Sequence, residues 1–282
     1  MKSNIKKIWL SSLLFMISRP ITLLPFLAIA FLEALALEFI YFAPRKPVSI
    51  IAGPLIRKFF GEAPMHYPFN FNIFPELFYG AQVAIHALAG AFLMGLAVNM
   101  FRNLKEGLPV KSKALVRNAL KRYMAFFAYG VAAVLLILLL KKFGVYAVPK
   151  AVRLLSRFLP LGAMKIMPIV FSVVMFTLDI VIQAFIILTI PIIVLEKKSF
   201  IRSLLGSACL AAKNFGAIFS MIFFPFFLYL PISMLKWFSP QLSLRMFPEL
   251  PLLISGAGII AALFLDCFVL MAASTWLMEK NK

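Results

Sequence analysis

Few side chains in this 282-residue sequence can do acid–base chemistry, and most of those that can interrupt long apolar runs. Glu33, Glu38, His86, Asp179 and Asp266 are the clearest cases. Gln82 precedes His86 by four residues and Asp179 precedes Gln183 by four, so each pair shares one face of a helix. If the runs cross a membrane, each buried ionisable group costs at least ~2.5 kcal/mol. His86, Asp179 and Asp266 fall at similar depth in their runs, with no Lys or Arg beside them. They can therefore meet in one intramembrane polar cluster, drawn from Glu33, Gln82, His86, Asp179, Gln183 and Asp266. Its carboxylates would have to be protonated, hydrogen-bonded or cation-bound. Such a cluster serves either as a proton or cation site on a transport path or as interhelical hydrogen bonding, worth about 0.6 kcal/mol per bond. The second use is the commoner one.

Other chemistry is poorly represented. There is no Gly-x-Ser-x-Gly, no phosphate-binding loop ending in Gly-Lys-Ser/Thr and no His-Glu-x-x-His, so the sequence reads as a non-enzyme without an ATPase motor of its own. Two histidines are too few for a His-based metal site, and His66, in a Pro-rich stretch, reads as a solvated loop residue. No metal and no cofactor are expected. Cys209 and Cys267 stand alone in apolar stretches and are expected to be buried free thiols.

The elements that must position these groups follow from composition. Hydrophobic residues make up 63% of the chain and charged residues 14%, with 31 Phe and 14 Met and a mean hydropathy of +0.99. A water-soluble fold could not hide this much apolar surface. Six runs, Ile21–Phe42, Phe74–Met100, Tyr123–Leu140, Ile166–Leu195, Phe215–Leu235 and Pro251–Met278, approach or exceed the ~20 residues needed to span a bilayer. The fold class is therefore all-α, a polytopic helical membrane protein with about six transmembrane helices and interfacial amphipathic helices. Pro20 and Pro251 suit first-turn positions, whereas Pro191 and Pro225 fall inside runs and predict kinks. Ala28-Ile29-Ala30 loosely imitates a signal-peptidase site, but Arg19-Pro20 precedes it and the run continues to Phe42, which favours an uncleaved first helix.

The net charge of +19, from 29 Lys+Arg against 10 Asp+Glu, would suggest nucleic acid in a soluble protein. Here the basic residues cluster between the apolar runs, which points to anionic lipid headgroups and away from nucleic acid. More Lys and Arg lie on the side of the N-terminus than on the other, so both termini are expected in the cytoplasm, with the protein in the cytoplasmic membrane. The basic stretch Lys141–Lys165 runs against that count. Between the first two spans, Ile50-Ile51, Leu55-Ile56 and Phe59-Phe60 beside Arg57 and Lys58 predict a short interfacial helix.

The chain reads as one integral membrane domain over residues 1–282, with three candidate repeat units at 1–100, 101–195 and 196–282. Each would open with a basic amphipathic segment (Lys2–Arg19, Lys111–Arg122 or Lys197–Asn214) and continue into two spans. In the middle segment Leu115, Ala119 and Met124 line one side; the alternative is a plain continuation of the next span. Small residues recur at four-residue spacing, at Ala87, Ala91 and Gly95 and at Ser203, Ser207 and Ala211, and predict close helix packing.

The segment Pro191-Ile192-Ile193-Val194-Leu195-Glu196, followed by Ser207, Lys213, Asn214 and Phe215, resembles a group of uncharacterised prokaryotic multi-pass proteins. That group includes the membrane domain associated with some glycerophosphodiester phosphodiesterases. The likeness covers residues 191–215, and Lys213 stands directly before Asn214 where the group carries a spacer. It implies a helical membrane module without established activity, and no catalytic residue carries over. Glu196, Ser207, Lys213 and Asn214 form its inner-face motif. Read physically, Glu196 suits a helix start and Ser199 can join the first-turn hydrogen bonding. The function expected is a non-catalytic module that interacts with lipid, a partner membrane protein or further copies of itself. The alternative is a small-solute or ion transporter using the buried Asp/His/Gln set.

Overall fold

A computed structural model of the chain describes residues 5–155 and 167–280. No strand occurs among these residues, and six helical stretches are long and apolar enough to cross a membrane: Pro20–Phe42, Ile73–Lys105, Tyr123–Leu154, Val173–Leu195, Phe215–Lys236 and Leu250–Lys280. The protein is a multi-pass helical membrane protein. Exposed Phe31, Leu139, Val173, Phe227 and Ile260 line the outside of these spans, a surface suited to hydrocarbon and prone to aggregation in water.

The first span, α2 (Leu24–Phe42), is entered through a 3-10 turn at Pro20–Leu23, where Pro20 loses no hydrogen bond. A short helix, α1 (Ile5–Ser18), precedes it and buries Ile8 and Ser12. After α2 comes α3 (Val48–Phe60), whose Ile50, Ile51, Leu55 and Phe59 face outward. The second span joins α4 (Asn70–Ile85) to α5 (Ala91–Lys105) through a π turn at His86–Gly90, where the amide of Ala91 bonds the carbonyl of His86.

Next, α6 (Ser112–Leu120) is a helix of its own, closed by a turn at Lys121–Arg122 before α7 (Tyr123–Leu155) begins. It is therefore not a continuation of the next span. Leu115 and Ala119 are buried on its inner side, but Met124, beyond the turn, is 77% exposed; the turn breaks the face that regular spacing would have carried through. The third span does not stop at Leu140. Helix α7 carries Lys141 and Lys142 onward to Leu155, so the first part of Lys141–Lys165 is helical extension. Its remainder, and Ile166, lie outside the described residues.

Helices α8 (Met167–Ile186) and α9 (Thr189–Leu195) form the fourth span and are separated by a turn at residues 187–188. Pro191 explains the break, since it has no N–H to give the carbonyl of Ile187. By contrast α11 (Phe215–Arg245) continues through Pro225 as one helix, so that proline does not divide its span. Between them, α10 (Phe200–Lys213) buries Ser203, Ser207 and Ala211, the small-residue stripe that lets it pack closely. Cys209 lies off that stripe and is exposed, contrary to expectation, whereas Cys267 is buried.

Helix α12 (Leu250–Lys280) is the common partner. It gives Leu263, Cys267, Leu270 and Met271 to a core with α2, α5, α7 and α9. Its Ala272, Ala273, Trp276 and Leu277 enter a second core with α1, α8, α10 and α11. The α4/α5–α7 seam is the tightest: a Cβ on Gly130 would sit 2.6 Å from the Ala87 carbonyl oxygen, and one on Gly95 would collide with the Phe126 ring.

Candidate functional site

Two polar regions stand out, one inside the bundle and one at the ends of the spans. The inner region centres on Glu33, which is 3% exposed. Gln82 Nε2 donates to its Oε1 at 3.0 Å, and His86 Nε2 meets the same oxygen at 3.1 Å, donating as the Nε2–H tautomer or as imidazolium. The four-residue spacing of Gln82 and His86 puts both on one face of α4, and Glu33 of α2 closes the triangle. The π turn begins at His86, and Gly90 makes room for the ring: a Cβ there would stand 2.9 Å from His86 Nδ1. Such turns are enriched at functional positions.

Asp266 of α12 lies within electrostatic reach of His86 and Glu33, and Tyr129 of α7 within reach of Asp266. Four of the six cluster candidates are thus drawn together from α2, α4, the π turn that follows it and α12. Asp179 and Gln183 pair with each other on α8, Gln183 Nε2 donating to Asp179 Oδ2 at 3.3 Å, with Tyr79 the member of α4 that feels the Asp179 charge. Glu38 is exposed on α2. No group of three His, Cys, Asp or Glu among the described residues is arranged to hold a metal ion.

The second region is a cleft of about 620 Å³ where the end of α5, the α6–α7 turn and the α9–α10 connection converge. Arg102, Lys121, Arg122, Lys197 and Lys198 line it with Asn99, Asn118, Ser199, Met124, Ala125 and Val194, and no carboxylate is among the lining residues. Because these residues sit at the ends of the second, third and fourth spans, connectivity places them on one face of the bundle. Arg122 Nη1 donates to the carbonyl of Ile193, in the last turn of α9, which ends just before the left-handed Lys197 (φ 56°) and whose last carbonyls carry the negative pole of the helix. Lys198 Nζ pairs with Glu196 Oε2 at 2.6 Å. Arg102 Nε is buried and accepted by no group among the described residues.

The inner-face motif divides by role. Ser207 donates to the carbonyl of Phe185 at 2.7 Å, an acceptor near the break in the fourth span. Asn214 Nδ2 donates to the carbonyl of Leu210 at 3.1 Å at the α10–α11 junction, and Lys213 is exposed beside it. Glu196 stands at the C-terminal end of α9 and not at the start of α10. Ser199 occupies the N-terminal cap position of α10 and lines the cleft, but its side chain makes no capping bond. His66 is a solvated loop side chain 3.9 Å from Glu62.

The cleft cations carry no motif in the sequence, where they read as headgroup contacts and topology signals spread over separate basic segments and not as one site. The signal available was parity: Arg102, Lys121, Arg122, Lys197 and Lys198 all fall at span ends on one side.

No family model, curated protein or solved structure matches the chain.

Proposed function

We propose that this protein is a non-catalytic multi-pass membrane module that binds anionic lipid at its basic face. The observation that carries the reading is the cleft: five cations around a cavity without a lining carboxylate, at the ends of three spans. Charge of this density attracts anionic headgroups by roughly 1 kcal/mol per Lys or Arg near the surface. With more positive charge on the side of the N-terminus, the cleft faces the cytoplasm and both termini lie there, in the cytoplasmic membrane. The resemblance of residues 191–215 to a membrane module without established activity agrees with this role. Exposed apolar surface on the spans leaves room for a partner membrane protein or another copy of the chain.

The test is thermal unfolding of the detergent-solubilised full chain with added lipid. Anionic phosphatidylglycerol should raise the midpoint, zwitterionic phosphatidylcholine should not, and the double variant Lys121→Gln/Lys197→Asn should lose most of the effect. Asn is chosen at 197 because it tolerates the left-handed backbone. Equal stabilisation by the zwitterionic lipid would refute the reading.

A second reading, transport of a proton or small solute, rests on the Glu33–Gln82–His86 triangle with Asp266 nearby and on the broken fourth span, features common in transporters. Proton flux into protein-loaded vesicles that disappears in Glu33→Gln would favour it.

A further inference from the structure

Within the anionic-lipid reading, on which this inference rests, the charge ledger of the cleft says more about its ligand. Lys198 is offset by Glu196, whereas Arg102, Lys121, Arg122 and Lys197 have no ion-pair partner among the described residues. A phosphodiester headgroup brings one negative charge and two free oxygens. A phosphomonoester brings about −1.5 to −2 and three acceptor oxygens. We infer that the cleft is a binding site for a phosphomonoester, the terminal phosphate of a lipid such as phosphatidate or of a soluble phosphate ester, in preference to the diester headgroups of bulk anionic lipid.

The donor set fits that group. The Nε and one Nη of Arg102 form a fork that two phosphate oxygens can fill, and its Nε is already buried without an acceptor, a state that costs free energy until a ligand relieves it. Arg122 keeps further donors beyond the one given to Ile193, since a guanidinium has five. The third oxygen can take the first-turn amides of the 14-residue α10, which Ser199 leaves uncapped and which carry the positive pole of that helix. Both lysines act as mobile point charges. The cleft, at about 620 Å³, has room for more than a phosphate group. The apolar side of the same cleft, Met124, Ala125 and Val194, offers a wall for the organic remainder.

The experiment measures binding of four probes to the detergent-solubilised full chain at matched concentration: phosphatidate, phosphatidylglycerol, glycerol 3-phosphate and inorganic phosphate. Phosphatidate should bind at least tenfold tighter than phosphatidylglycerol. That preference should shrink between about pH 7 and pH 5, because the second proton returns to the phosphate near pH 6. Arg102→Gln should cut the preference severalfold. Should that variant fold poorly, Lys121→Gln/Lys197→Asn, at more accessible positions, should lower phosphatidate affinity at least tenfold with an unchanged melting midpoint. If glycerol 3-phosphate matches phosphatidate, the inference stands with a soluble ester as ligand; if only phosphatidate binds, it stands with a lipid. Equal, cleft-dependent binding of phosphatidate and phosphatidylglycerol would overturn the monoester inference and leave the anionic-lipid reading intact. Binding indifferent to the cleft variants would overturn both, and so would phosphatidate binding that does not weaken toward pH 5 overturn the monoester inference.

Discussion

The buried triangle at Glu33 and the basic cleft at Arg102 are opposite solutions to the cost of polar groups in a membrane protein. In the triangle every named partner is supplied by the chain: one carboxylate oxygen takes both Gln82 and His86, and little of Glu33 remains exposed. In the cleft, cations are gathered without a lining acid and one guanidinium nitrogen is left without an acceptor. A satisfied network adds to the stability of the fold. An unsatisfied one spends stability and gains binding capacity, which is why the cleft and not the triangle carries the proposed function.

That contrast can be broken most directly at Glu33. Glu33→Ala strands two donors inside the bundle and should cost about 3 kcal/mol, read as a fall in the thermal midpoint in detergent, with Glu33→Gln retaining much of the loss. Lys121→Gln in the cleft should stay within about 0.5 kcal/mol. Similar losses in both would erase the distinction. Next in size is Gly130→Ala, which pushes a methyl against the Ala87 carbonyl inside the π turn that begins at His86. A backbone carbonyl cannot step aside, so a loss of about 2 kcal/mol is expected despite the better helix propensity of alanine. An unchanged midpoint would mean that the α4/α5–α7 seam is loose.

Smaller still is Asp179→Asn, which alters a partly exposed pair within one helix and should change stability by about 0.6 kcal/mol or less. A loss as large as that of Glu33→Ala would place Asp179 in the buried network after all. The smallest effect lies outside the membrane. Tyr67 Oη donates to Glu249 Oε1 at 3.1 Å, joining the loop before the second span to the turn before the sixth. Partial removal from water, then the hydrogen bond and charge of Glu249, hold the Tyr67 hydroxyl above its ordinary value of 10.0. The neutral hydroxyl is thus favoured in the folded state. Its contribution is complete below about pH 10 and fades as pH rises through the elevated folded value. A slight alkaline loss of midpoint that vanishes in Tyr67→Phe is expected; an equal loss in both proteins would assign it elsewhere.

The sequence by itself determined the fold class and the places of the six spans, because crossing a bilayer requires length and apolarity, both properties of a contiguous segment; it ended the third at Leu140, whereas that helix runs on to Leu155. It also determined that Gln82 and His86 share a face and that Pro191 would disturb its span, since both are matters of local spacing. Tertiary structure alone decided that their common acceptor is Glu33, 49 and 53 residues away, and that Asp266 joins that group while Asp179 keeps to its own helix. The inner-face motif shows the same limit: Glu196 looked like the start of a helix, but the left-handed Lys197 ends one helix there and turns Glu196 toward Lys198. Arg102, Lys121, Arg122, Lys197 and Lys198 become one cleft only where three span ends meet. Each is unremarkable in its own segment, and a charge cluster is a property of distance in space, which no single segment encodes.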